Sequence, residues 1–324
     1  MRALVTGATG FIGSHLVEGL LKKGYEVSCL IRKTSDLRWL EGLDVKYIYG
    51  DCSDKESLIH CMSGFDYIFH LAGLTKALSK DDLYCINAMG TENLMEAVVR
   101  NNEGLKRFVY LSSLSAFGPT LNDKLPSEEM KPHPVSDYGL SKLNGEDAVL
   151  KYRDRVPVSI LRPAVVYGPR DKDFFLFFKF VKKGIIPNWG ENRVSLVYVD
   201  DLISAIILCG EKERSIGETY FISDGMIYSN SEIINEIASA FQVKPIQVKL
   251  PKAILPVIAL LGEKVNMLRK KATMINRDKV KEITYPNWFC DISKAKRDID
   301  FTPKTSIKEG IKWTAGWYRI HRWL

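Results

Sequence analysis

Apolar positions along the first half of the chain follow two alternating rhythms. Short continuous runs occur at Arg2–Val5, Glu26–Ile31, Val45–Tyr49, Tyr67–Leu71, Arg107–Leu111 and Val158–Leu161, and their length and β-branched or aromatic content read as strands. Between most of them lie stretches of helical period. Phe11–Lys23 places Ile12, Leu16, Leu20 and Leu21 near one face, and residues 82–101 and 137–152 behave alike. Strand–helix–strand repetition predicts an α/β fold with a parallel sheet covered on both faces. Right-handed crossovers make such a sheet doubly wound.

After about residue 165 the rhythm breaks. Asp173–Val181 is apolar with one lysine inside it, Leu196–Val199 and Thr219–Ile222 read as two more strands, and residues 225–324 hold helical segments punctuated by Pro251, Pro286 and Pro303. The pattern predicts one domain from residues 1–164 and 196–224, and a smaller α/β region from 165–195 and 225–324.

Charge adds an asymmetry. The 324 residues carry 46 Lys+Arg and 39 Asp+Glu. Residues 244–324 hold 18 of those cations against 7 of the anions. A basic end can serve nucleic acid, an anionic membrane face or an acidic substrate. Here acidic residues are interspersed and no nucleic-acid motif is present, so a solvated surface and no nucleic-acid partner are expected. The apolar stretch Ala253–Leu261 is nine residues long and contains Pro256, too short to span a bilayer; a peripheral membrane contact stays open. Six cysteines lie scattered without a metal or disulfide spacing, which predicts free thiols, no metal and a reducing compartment. Met1 runs directly into RALVTG, so a chain without a leader, located in the cytoplasm, is expected.

The first candidate chemistry follows the first strand. Thr6-Gly7-Ala8-Thr9-Gly10-Phe11-Ile12-Gly13 opens the first helix. Gly7 permits the tight turn, Gly10 lets backbone approach a pyrophosphate, and Gly13 allows close helix–strand packing. The helix N-terminus offers N–H groups and partial positive charge to phosphates. The second strand ends in Ile31-Arg32-Lys33, without the carboxylate that binds a ribose 2′-hydroxyl and with a cation suited to a 2′-phosphate. NADP is therefore favoured, with NAD as the alternative; Asp36 is the nearest carboxylate beyond.

The second is Tyr138-Gly139-Leu140-Ser141-Lys142. Positions i and i+4 share a helix face. Ionising a phenol of reference pKa ~10 at neutral pH costs about 4 kcal/mol, and a lysine cation offsets part of that. Tyr138 then serves as a general base toward an alcohol or a general acid toward a ketone.

Taken together these segments resemble the extended short-chain dehydrogenase/reductase family, also called the NAD-dependent epimerase/dehydratase family, which has a Rossmann fold. TGATGFIG resembles its glycine motif; Gly50-Asp51 with Asp54, His70-Leu71-Ala72-Gly73, Asn87–Asn93, Leu161-Arg162-Pro163, Tyr167-Gly168-Pro169 and Val197–Asp201 resemble later landmarks. The resemblance covers residues 1–224 well. It implies cofactor contacts from Gly7, Thr9, Gly10, Phe11 and Ile12, from Arg32, Asp51 and Cys52, from Leu71, Ala72 and Gly73, and from Asn87, Pro163 and Val166, beside Tyr138 and Lys142. Aligning Phe117-Gly118 with the family's Tyr-Gly makes Ser113 the catalytic serine, with Ser112 the alternative register and Ser115 a further lining residue. Asn87 would position Lys142. His70, inside an apolar strand, reads as a packed core histidine.

Family dehydratases place Asp-Glu after the catalytic hydroxyl residue; here Leu114-Ser115 stand there. Epimerases carry an Asn and an Arg for the nucleotide diphosphate, at positions filled here by Val165 and Val194, with Arg193 one place off. The pattern more closely resembles the dihydroflavonol 4-reductase and hydroxysteroid dehydrogenase branch. The expectation is an NADP-dependent oxidoreductase acting on a secondary alcohol or ketone of a small hydrophobic substrate, with Ser113, Tyr138 and Lys142 carrying the chemistry. A nucleotide-sugar epimerase and a non-catalytic NADP-binding subunit are the alternatives. Phe174–Val181 reads either as an apolar lid or as a core helix, and Trp189, Trp288, Trp313, Trp317 and Trp323 mostly as packing. The resemblance also implies a homodimer through the helices near 82–101 and 137–152.

Overall fold

The apolar runs fold where their pattern places them. In a computed structural model that describes residues 1–59, 61–121, 124–257, 259–260 and 276–324, seven strands build the main sheet. They are β1 (Arg2–Thr6), β2 (Glu26–Ile31), β3 (Val45–Tyr49), β4 (Tyr67–His70), β5 (Arg107–Leu111), β6 (Val158–Pro163) and β7 (Thr219–Ile222). Their spatial order is β3-β2-β1-β4-β5-β6-β7, and every neighbouring pair is parallel. This is a Rossmann sheet, and its order reverses between β1 and β4. A crevice opens there at the carboxyl ends of the strands. The central strands β4 and β5 are buried at every position, whereas edge strand β3 leaves Tyr47 and Tyr49 exposed.

Helices cover both faces. α1 (Phe11–Lys22) buries Leu16, Val17 and Leu20; α2 (Gly90–Asn101) buries Leu94, Met95 and Val98; α3 (Asp137–Leu150) follows β5, and α5 (Val199–Glu211) precedes β7. The helical stretch expected near 82–101 is interrupted, because Cys85–Met89 forms a π-helical turn ahead of α2. Such turns recur at functional sites. Gly145 explains how closely α3 lies on the sheet: a Cβ there would meet the Tyr110 hydroxyl at 2.2 Å.

The remaining residues form small elements above the crevice. Leu196–Tyr198 does not join the main sheet; it pairs in parallel with Val165–Tyr167. Ile185–Asn188 pairs with Ile246–Lys249, and Arg193–Val194 lies between Tyr228–Ser229 and Asn287–Trp288. α4 (Lys172–Lys182), α6 (Asn230–Phe241), α7 (Arg277–Thr284) and α8 (Ile307–Ile320) complete this part. Helix α4 presents Phe174–Val181 to two surroundings. Phe178 and Val181 are buried, while Phe174 and Phe177 line the crevice. Trp317 and Trp323 pack with Tyr318, and Trp189 packs under Leu255. Trp313 is instead half exposed, and Trp288 faces the crevice. Among the contacts that join the two parts, Asp201 accepts the N–H groups of Lys304 and Thr305, and Lys294 pairs with Glu218; within the smaller part the Tyr318 hydroxyl donates to the Asp171 carbonyl.

Within the described residues no helix is long and apolar enough to cross a membrane. Of the Ala253–Leu261 run, Ile258 and Leu261 lie outside them. All six cysteines are free thiols.

Candidate functional site

Tight turns of glycine shape the floor of the crevice. Gly7 sits at φ +69°, and a Cβ on it would lie 2.7 Å from the Ala72 nitrogen. A Cβ on Gly13 would lie 2.1 Å from the Gly7 carbonyl oxygen. Gly10 differs, since its Cβ direction meets only the Gly7 carbonyl oxygen, at 3.2 Å. As N-cap of α1 it supplies no side-chain acceptor, and no acidic residue stands in the first turn. The donors beyond Thr9 and Gly10, on Phe11 and Ile12, are thus left for an anion, and the cradle fits a pyrophosphate.

Beside this loop, Arg32 and Asp51 end β2 and open the loop after β3, with guanidinium and carboxylate 4.0 Å apart. The Arg32 N–H donates to Ser35 Oγ in a tight turn. The Asp36 carboxylate is engaged by Arg38 at 2.5 Å. The Cys52 side chain is buried against Gly90 and the core, and burial pushes its thiol up to about 12, so its backbone is what it offers to the cofactor side.

A hydrogen-bonded chain supports the wall formed by Leu71, Ala72 and Gly73. The Ala72 N–H donates to Thr6 Oγ1, which contacts His70 Nδ1 at 2.6 Å; His70 Nε2 contacts Thr91 Oγ1 at 3.0 Å, and that hydroxyl donates to the Asn87 carbonyl. The Asn87 side chain, fully buried, accepts from the Leu74 N–H and donates to the Leu74 carbonyl and to Ser141 Oγ. Asn87 thus ties the wall to α3 one residue before Lys142.

Ser113, Tyr138 and Lys142 converge on the crevice together with Phe11, Ile12, Leu71, Gly73, Pro163 and Val166. Ser113 caps a helical turn (Leu114–Phe117) after β5, where its hydroxyl accepts the Ser115 N–H at 3.1 Å and faces the Tyr138 phenol. The Ser112 hydroxyl instead donates to Glu146, which is in a buried pair with Arg162. Lys142 donates to the Leu111 carbonyl at 2.7 Å and lies 4.3 Å from the Tyr110 ring centre. Burial holds its ammonium down to about 7, against the opposing pull of Glu146. Burial raises the Tyr138 phenol, while the Ser113 hydrogen bond and the Lys279 cation lower it. Lys279 is thus a second cation near the phenol, besides the Lys142 to which the helical spacing pointed, and its own partner Glu282 opposes it.

Lys279 belongs to a group that the sequence did not reveal. On α7, the Asp278 carboxylate accepts the N–H groups of Asp137 and Tyr138, at 2.7 and 3.0 Å. Glu282 accepts from Ser136 Oγ, the N-cap of α3, and from Lys279 Nζ at 2.7 Å. Across the crevice Lys76 pairs with Asp173. The enclosed space is about 580 Å³. Phe174, Phe177, Val194, Ile283, Tyr285 and Trp288 make its upper wall largely apolar.

Residues 3–223 match the model of the NAD dependent epimerase/dehydratase family. The chain belongs to that family. It is thereby an NAD(P)-dependent enzyme of the extended short-chain dehydrogenase/reductase type, the class of its named relatives. It is similar to a ceramide reductase of Caulobacter vibrioides, 27% identical across 99% of this chain and 95% of that one. It is equally similar to a 2-alkyl-3-oxoalkanoate reductase of Stenotrophomonas maltophilia, 27% identical over 96% of this chain and 98% of the relative. Among solved structures, a UDP-glucose 4-epimerase of Thermotoga maritima with UDP-glucose superposes at a TM-score of 0.82, with 25% identity, 99% coverage of this chain and 100% of that one.

Proposed function

We propose that this family member is an NADP-dependent reductase or dehydrogenase of a small, hydrophobic ketone or secondary alcohol. One observation carries the choice over a nucleotide-sugar epimerase: among the described residues, the two lysines of the crevice's upper wall each face a carboxylate. Lys76 faces Asp173 and Lys279 faces Glu282, while most of the remaining wall is apolar. A sugar-nucleotide diphosphate needs uncompensated cations, whereas an uncharged chain with one carbonyl needs none. The names of the two reductase relatives point the same way, and the epimerase neighbour supports the rival reading.

In this reading residues 1–164 with 196–224 hold the cofactor, and 165–195 with 225–324 shape the substrate site. The glycine loop holds the pyrophosphate, Asp51 faces the adenine end, and Arg32 with Ser35 receives a 2′-phosphate. The bound nicotinamide supplies or accepts the hydride. Ser113 hydrogen-bonds the carbonyl oxygen and fixes its position. Tyr138 delivers the proton that balances the hydride, acting as general acid in reduction and general base in oxidation. Lys142 stands between the Asn87 clamp and the Leu111 carbonyl as the fixed cation of the cofactor side. Phe174 and Phe177 exclude water from the reacting carbon.

The test is turnover of NADPH and NADH with a panel of long-chain 3-oxo compounds, beside thermal shifts with nucleotide sugars. Tyr138→Phe should lower kcat/KM by roughly 10²–10⁴ while leaving cofactor binding intact. Full turnover by that variant, or nucleotide-sugar binding without ketone reduction, overturns the reading.

A further inference from the structure

One surface beside the crevice combines exposed apolar side chains with lysines that form no ion pair among the described residues. Ile185 and Ile246 are register partners in the ribbon of Ile185–Asn188 and Ile246–Lys249, and they are 60% and 68% exposed. Val248, two positions along, and Phe180, near the end of α4, are exposed as well. The ribbon leads through Pro251 into residues 252–260. There Leu255 and Ala259 are buried beside Trp189 and Ile283, which turns Ile254 and Val257 outward. Single exposed apolar residues are ordinary; a group drawn from three adjoining segments is a candidate contact face.

The charge around it is one-sided. Residues 174–190 and 237–262 contain six lysines and no aspartate or glutamate. Lys179, Lys182, Lys183, Lys244 and Lys249 are exposed, and Lys252 reaches the Thr284 carbonyl. Flexible ammonium groups interspersed with protruding apolar side chains suit a diffuse anionic surface more than a shaped protein partner. Ile283 links the two features, because it packs with Leu255 and Ala259 and also lines the crevice. We propose that this face docks on an anionic lipid bilayer, with the lysines at the headgroups and Phe180, Ile185, Ile246 and Val257 in the acyl boundary. The crevice then opens beside the phase from which an apolar substrate is drawn.

The test is co-sedimentation of the full chain with phosphatidylcholine vesicles, with and without phosphatidylglycerol. Binding is expected only to the anionic vesicles and should be reversed by salt. Each lysine near such a surface contributes about fivefold to partitioning, so K244E/K249E should weaken binding by roughly 25-fold or more. Ile246→Ser should weaken it without altering the melting temperature or turnover of a soluble ketone. Failure to sediment with anionic vesicles overturns the proposal, as does binding that K244E/K249E leaves unchanged. A change of hydrodynamic mass in either variant also overturns it, by assigning the face to a second copy of the chain. Vesicle binding is read without turnover, so its failure leaves the reductase reading standing.

Discussion

His70 is held neutral by partners on both sides. Thr91 commits its proton to the Asn87 carbonyl, so His70 Nε2 carries the hydrogen that Thr91 accepts, and Nδ1 accepts from Thr6. Burial, with the Lys142 charge acting in the same direction, pushes this imidazole down to about 3. An unfolded chain protonates it near 6.5. Between those values the unfolded state holds a proton that the folded state refuses, so stability falls as pH drops through that window. Urea midpoints measured from pH 7 to pH 4 should decline more steeply for the native chain than for His70→Asn. Parallel slopes would contradict the assignment. The histidine's packed position was legible from its apolar strand, whereas the choice between Ser112 and Ser113 was not. Two adjacent serines after a strand look alike in sequence, and only the Glu146 carboxylate, 34 residues from Ser112, separates them.

At the scale of elements, the main dependence runs from α7 to α3. Asp278 satisfies two of the orphan N–H groups at the start of the helix that carries Tyr138, and its charge sits at the favourable end of the helix dipole. Asp278→Ala should cost ~1 kcal/mol in unfolding free energy, the usual worth of an N-terminal cap. It should also raise KM for the ketone as Tyr138 loses its fixed start, while Asp278→Asn restores much of both. Calorimetry and initial rates check this, and an Ala variant with native stability and KM would remove the coupling. Elements built from local periodicity were readable: β2, β3 and β5 fall where their apolar runs lie. The α7 contacts were hidden because they join residues about 140 positions apart, and nothing in a helix pattern says which carboxylate caps a distant helix. The π-helical turn at Cys85–Met89 was hidden too, since its residues fit an unbroken helix equally well.

Across the whole molecule, the cofactor cradle and the crevice form one folded unit, so ligand binding and stability are linked. NADPH at 100 times its dissociation constant should add ~2.7 kcal/mol to unfolding. NADH at the same concentration should add less, and Arg32→Ser should bring the two closer together. Equal shifts for both nucleotides in the native chain would assign the protein to NAD. The doubly wound order and the glycine loop were visible from the sequence because each rests on contiguous residues. The pairing of the crevice's upper-wall lysines was not, because Lys279 and Lys76 meet their carboxylates only after folding.

The Asp278 tether has an evolutionary consequence. A lineage that remodels residues 276–284 to admit a new substrate also alters the footing of Tyr138, the proposed proton donor. Specificity and turnover therefore cannot drift independently in this chain. Grafting that segment from a relative should cripple catalysis unless a carboxylate is kept at position 278.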